Sequence, residues 1–377
     1  MKPTLNKCLT SASLAVLISP KLFAAAVTPG DILVVQVGNG SAALAGTATA
    51  TFLDEYSLTG TLVQQFALPT AASGSQDALT LSGSSTAEGF LELSGDGNYV
   101  TIGGYNLAPG GTTGTSSAAT VNRVVGLLNL NTGALDTSTA INGGTSGNIR
   151  SVYTANGTSF YAASSSAGVG YDATFGSASS ATQLSTSPSN TRVTKVVNGQ
   201  LYVTSASGTF LGVGTIGTGT PTTGSQTSTL LTGFPTTGSH SSYDYFFATP
   251  TTLYVADDGS AAAGGGIQKW VFSSGAWSLQ YTLLNNGTAD TVVRGLSGFV
   301  DGSGNVDLYG STGTTAIEVT DTGASATATT IATAGANEAF RGIVFDAPTS
   351  TPEPTTLALL SLGGVAGAFF FGRRNRK

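Results

Sequence analysis

The sequence predicts an all-β chain whose middle folds as a β-propeller, counted as six four-stranded blades, and three observations carry the prediction. Residues 27–348 hold short runs rich in Val, Ile, Tyr, Phe and Thr, separated by Gly, Asn, Asp and Ser, with no apolar pattern of helical period. These runs repeat at the spacing of a blade. The last repeat offers a single strand and the N-terminal stretch offers three, so the two ends together complete one blade.

The repeat unit is a pair of strands. Glu88-Gly89-Phe90-Leu91 precedes Asn98-Tyr99-Val100-Thr101; Arg150-Ser151-Val152-Tyr153 precedes Ser159-Phe160-Tyr161-Ala162; and Arg192-Val193-Thr194-Lys195 precedes Gln200-Leu201-Tyr202-Val203. Asp244-Tyr245-Phe246-Phe247 then leads to Thr252-Leu253-Tyr254-Val255, Arg294-Gly295-Leu296 to Val306-Asp307-Leu308-Tyr309, and Arg341-Gly342-Ile343-Val344-Phe345 stands alone. The first residues of successive repeats are 62, 42, 52, 50 and 47 positions apart. Turns such as Ser94-Gly95-Asp96-Gly97 and Val197-Asn198-Gly199 join the paired strands. Third and fourth strands are clearest at Gly266 to Phe272 and Trp277 to Leu283, joined by Ser273-Ser274-Gly275.

Ile32 to Val37, Thr51 to Tyr56 and Thr61 to Phe66 lack an opening strand, and Arg341 to Phe345 supplies it. Closing the ring this way removes the sheet edge that an open array would present. The stretch from Tyr171 to Leu184 is weakly patterned, so five and seven blades remain open, and a β-sandwich pair or a β-helix is the architectural alternative. Residues 108–120 and 214–226 are Gly/Thr-rich loops, and no boundary divides the array into domains.

Of 377 residues only 34 are charged, whereas 52 are Gly. An ordinary soluble domain carries roughly 25 % charged residues, so hydroxyls and backbone amides must solvate this surface, and a charge-laced coiled coil is excluded. Three of the 14 Lys and Arg fall in the first 26 residues and four in the last five; seven remain in the middle with 19 of the 20 acids, a balance of −12. That surface offers no basic stripe for nucleic acid.

The ends are addresses. Lys2 and Lys7, the apolar stretch Cys8 to Ile18 and Ala24-Ala25-Ala26 form a secretory signal over residues 1–26, cleaved after Ala26. At the other end Pro352-Glu353-Pro354 precedes an apolar span, residues 355–372, and then Arg373, Arg374, Arg376 and Lys377. As a helix the span would reach about 27 Å, close to a bilayer core, with the basic tail on the cytoplasmic side. This order of motif, span and tail closely resembles the PEP-CTERM sorting signal of bacterial exported proteins, over residues 349–377. The resemblance implies an exosortase, a membrane transpeptidase-like enzyme, as processing partner near the Pro-Glu-Pro motif, and a host that makes exopolysaccharide. A permanent C-terminal anchor is the alternative.

Subtraction limits the chemistry. Beyond the signal there is no Cys, hence no disulfide or thiolate site, and the one histidine, His240, cannot build a multi-His zinc centre. No G-x-S-x-G elbow accompanies His240 and Asp244. Asp301 to Asp307 places oxygen side chains at alternate positions, but Val306 and Thr312 depart from a calcium loop, and the segment reads as a turn, as does Asp257-Asp258-Gly259. The adjacent acids Asp54-Glu55 and Asp257-Asp258 point to opposite faces of a strand and cannot serve as a facing pair for glycoside hydrolysis. No catalytic residue, metal or cofactor is assigned.

One pattern remains. Arg150, Arg192, Arg294 and Arg341 open four repeats, and Glu88 and Asp244 open the other two. Because the first strand of a blade lines the central channel, the six would ring one mouth and bind an anionic or polyhydroxylated ligand. The competing reading is that each arginine ties neighbouring blades through backbone carbonyls. The expectation is an exported cell-surface or matrix protein with a structural or glycan-associated role; a secreted propeller enzyme acting on polysaccharide is the alternative.

Overall fold

The computed structural model describes residues 25–113, 118–176, 178–288 and 291–347. The signal peptide, apart from Ala25 and Ala26, and the sorting segment with its expected helix lie outside the described residues.

Among the described residues the principal sheets are six, and they follow one another along the chain as blades. Blade 1 joins the C-terminal strand Ala339–Phe345 to Ile32–Val37, Thr51–Tyr56 and Leu62–Ala67. Blade 2 comprises Glu92–Leu93, Tyr99–Tyr105, Arg123–Asn129 and Leu135–Gly143; blade 3 comprises Ile149–Thr154, Phe160–Ser164, Val169–Asp172 and Thr182–Gln183. Blade 4 is Thr194–Val197, Gln200–Ser207, Phe210–Ile216 and Ser228–Leu230, and blade 5 is Ser242–Thr249, Thr252–Asp257, Gly266–Ser273 and Ala276–Leu283. Gly295–Val300, Val306–Ser311, Thr315–Thr320 and Thr329–Thr333 make blade 6. The six-bladed reading and its closure by pairing of the two ends hold.

Burial explains which strands are legible. Ile32–Val37 is covered on both faces and reads as a continuous apolar run, whereas the outermost strand of the same blade, Leu62–Ala67, is mostly exposed. The core lies between neighbouring sheets: Leu33, Val35 and Leu53 of blade 1 pack with Val100, Ile102 and Val124 of blade 2. Phe234 and Trp270 stack at 4.1 Å between the rings. Asn198 and Gly199 both take positive φ, 49° and 76°, so the hairpin that opens blade 4 turns with the twist of its strands.

The closing seam is antiparallel, with Ile32 opposite Phe345, Val34 opposite Ile343 and Val37 opposite Ala339. Blade 2 departs from expectation, because its first strand is Glu92–Leu93 and residues 88–91 leave the ladder. Their backbone instead serves the neighbours: the Phe90 amide donates to Arg150 O at 3.0 Å, and Gly89 O accepts from the Gly342 amide at 2.9 Å. The weak pattern after Tyr171 also has a cause. Ala178–Ser180 reaches back to pair in parallel with Leu135–Gly143, adding a fifth strand to blade 2. Among the described residues no helix is long and apolar enough to cross a membrane.

Candidate functional site

The four arginines that open repeats stand at the starts of the innermost strands, at one end of the axis. Arg150 of blade 3 donates from Nη1 to Asn190 Oδ1 at 2.7 Å and to Thr191 O at 2.9 Å, both at the approach to blade 4. Arg192 donates to Ser242 O at 2.7 Å, at the start of blade 5, and its guanidinium lies 3.7 Å from the centre of the Tyr243 ring. Arg294 pairs through Nε with Asp258 at 2.9 Å and also reaches over Tyr243, at 5.9 Å. Arg341 donates to Phe340 O and, at 3.1 Å, to Gly83 O. Nε of Arg150 and Nε of Arg341 are buried without a hydrogen-bond partner.

These cations feel one another. Burial, reinforced by the charge of Arg192, lowers Arg150 to about 10, and burial with the charge of Arg294 lowers Arg341 to about 10. Arg192 is lowered by burial first, and the charge of Arg294 adds to the effect. Glu88 joins this end. Its carboxylate accepts from Tyr105 Oη at 2.8 Å, from the Ser82 amide at 3.0 Å and from Asn148 Nδ2, and it lies within electrostatic reach of Arg150 and Arg341. Burial raises its pKa despite those donors.

Asp244 turns away from this group. Neighbouring strand residues face opposite sides, so with Tyr243 between Arg192 and Arg294, Asp244 points inward and pairs with Lys195 Nζ at 2.9 Å. Lys195 pairs also with Glu92 Oε2 at 2.9 Å, and the three form a charged group across blades 2, 4 and 5 in which both carboxylates are buried and Lys195 is partly exposed. Asp244 is further held by the Leu296 and Tyr245 amides. Burial pushes Glu92 up to about 8, with Asp244 adding to the effect and Lys195 opposing it. Beyond this group, towards the ends of the inner strands, a cavity of about 240 Å³ is lined by first-strand residues of five blades, among them Glu92, Lys195, Phe247, Leu296 and Phe345. The sequence signal for it was a charged residue in an otherwise apolar inner strand, Lys195 three positions after Arg192. The identity of its partners required the ring to be closed.

The other motifs behave as turns and supports. Asp301 accepts from the Ser303 and Asn305 amides, both at 2.8 Å, and from Asn305 Nδ2, which closes the loop on itself. Asp257 accepts from the Gly259 and Ser241 amides at 2.9 Å. Asp54 and Glu55 go separately to Gln65 and Gln64. Among the described residues no group of three or more His, Cys, Asp or Glu is arranged to hold a metal ion.

Comparison with known proteins speaks mainly to the C-terminus, where residues 350–377 match the family described as the PEP-CTERM protein-sorting motif. No curated protein matches the chain. Among solved structures, a 6-phosphogluconolactonase candidate from Bacteroides uniformis overlaps with 16% identity over 80% of this chain and 82% of its own, at a TM-score of 0.44. The computationally designed Ika8 protein overlaps with 11% identity over 81% and 90%, at 0.40, and apo AztD from Citrobacter koseri with 11% identity over 79% and 70%, at 0.34. Overlaps this loose carry no argument about function. The chain therefore joins a six-bladed β-propeller to a PEP-CTERM sorting signal, and is an exported, envelope-associated protein sorted by an exosortase.

Proposed function

We propose that the mature protein works at the cell surface or in the extracellular matrix as a glycan-associated binding protein, taking an anionic or polyhydroxylated group, such as a sugar acid of the exopolysaccharide, at the arginine mouth of the propeller. One observation carries this reading: Arg150, Arg192 and Arg341 are lowered by burial and further by a neighbouring guanidinium, and Arg150 and Arg341 keep a buried Nε–H without a partner. A buried donor left unsatisfied is costly, and a ligand oxygen would relieve it. Four guanidinium groups against three nearby carboxylates, Glu88, Asp257 and Asp258, leave an excess of positive charge that favours an anion there.

The sorting signal supports the location, and the apolar span at 355–372 gives the membrane contact, held until the exosortase acts. Arg192→Gln and Arg294→Gln, singly and together, test the reading by retention of the native exopolysaccharide alongside melting temperature. Loss of retention with a small change in melting is expected. A large stability loss with unchanged retention overturns the reading and leaves the arginines as ties between blades. Intact mass of protein from cells with and without exosortase activity tests the processing step: a C-terminus that is the same in both makes the span a permanent anchor.

A further inference from the structure

The two ends of the axis have opposite character, and the end away from the arginines is built as a pocket. Its floor is Glu92 and Lys195, with Asp244 behind them against Lys195: two buried carboxylates and one partly exposed ammonium. Its walls are apolar and aromatic, with Leu91, Phe246, Phe247 and Phe345 around about 240 Å³. Glu92 uses Oε2 for Lys195, whereas its Oε1 is buried with no hydrogen-bond partner. Asp244, by contrast, is fully engaged by Lys195 and two backbone amides. The group thus leaves one carboxylate oxygen without an internal partner, and ionisation of Glu92 gives it one negative charge more than Lys195 balances. Tyr245, whose ring lies 4.7 Å from Lys195 Nζ, and Tyr153 of blade 3 are the other titratable groups facing Glu92. Neither supplies a cation.

We propose that this cavity is a binding site for a small organic cation, an amine or quaternary ammonium on an apolar body, with its charge at Glu92 and its body against the aromatic wall. An uncompensated buried carboxylate either takes a proton or takes a cation. Aromatic faces beside the charge add to the attraction for the second. In the empty pocket Glu92 is held protonated into the neutral range by burial. Cation binding ionises it, so one proton leaves as each ligand enters, and affinity rises with pH until Glu92 is ionised without help.

Benzylamine and benzyltrimethylammonium, with benzyl alcohol as the neutral isostere, are titrated calorimetrically into the full chain at pH 7 in two buffers of different ionisation heat. Both cations are expected to bind with proton release, and the alcohol to bind roughly tenfold more weakly or not at all. Glu92→Gln should abolish both the preference for cations and the proton release while keeping the hydrogen bond to Lys195. Val197→Trp, at a partly exposed lining position, should fill the pocket and remove binding without touching the charged group. Equal affinity for alcohol and cations, or unchanged cation affinity in the folded Glu92→Gln and Val197→Trp proteins, overturns the proposal.

Discussion

At the scale of single residues, Gly342 shows how tightly the inner strands meet. A Cβ built there would lie 2.4 Å from Gly89 O and from Leu91 N, and 2.7 Å from Phe90 Cα, all backbone of the next blade. No side chain can rotate away to make room. Gly275, in the hairpin of blade 5, needs glycine for its φ of 86° alone and has open space around it. Gly342→Ala is therefore expected to cost about 2–4 kcal/mol and Gly275→Ala about 1 kcal/mol, checked by urea denaturation of each purified variant. The arginines were legible at this scale because each opens a repeat. The pairing of Lys195 with Glu92 and Asp244 was not, since 103 positions separate Glu92 from Lys195 and only ring geometry brings them to 2.9 Å. Asp244 marks the same limit: a shift of one position in a strand exchanges the arginine end for the interior.

Among the elements, the blades are joined by a device that also accounts for the hydroxyl-rich composition. A Thr or Ser on the second strand of one blade donates to a carbonyl on the first strand of the next: Thr101 to Val152 O, Thr204 to Tyr243 O and Ser311 to Arg341 O. These hydroxyls are buried, and they tie sheet to sheet without placing charge in the core. Thr204→Val keeps the shape and the β propensity but takes the hydroxyl donor from the Tyr243 carbonyl and the hydroxyl acceptor from the Val193 amide. The expected cost is about 1–3 kcal/mol, read as a lowered urea midpoint with unchanged slope. Second strands were the most readable elements because both of their faces are covered, as at Phe160–Ser164. Outer strands such as Thr182–Gln183 and Ser228–Leu230 are short and exposed, so little in their sequence distinguishes them from loop. The irregular entry to blade 2 was equally unreadable, because residues 88–91 give their backbone bonds to other blades.

For the whole molecule, the excess of acid sets how stability varies with pH. Burial raises Asp54 to about 6, and burial together with Glu55 and Asp31 raises Asp346 to about 6; Glu92 stands at about 8. Each lies above its unfolded value near 4, so its contribution is complete below that value and is lost as pH rises through 6 and then 8. Asp96, Asp136 and Asp321 are held below the usual range, Asp321 by Lys269, Tyr254 and Tyr281, and their contributions are lost on further acidification. The midpoint of urea unfolding is thus expected to peak in mildly acidic solution and to fall steadily from pH 5 to pH 9. A midpoint that rises across that interval would contradict the burial of these carboxyls.

The seam in blade 1 has a mechanical consequence. Ile32 sits opposite Phe345, so the chain enters and leaves the ring at one corner, and the Pro-Glu-Pro motif begins seven residues beyond that corner. Tension on an anchored tail enters the ring through the last strand, which is paired along its length with Ile32–Val37 inside the closing blade. Cutting the tether beyond Phe345 removes that load and leaves the clasp of the two ends closed.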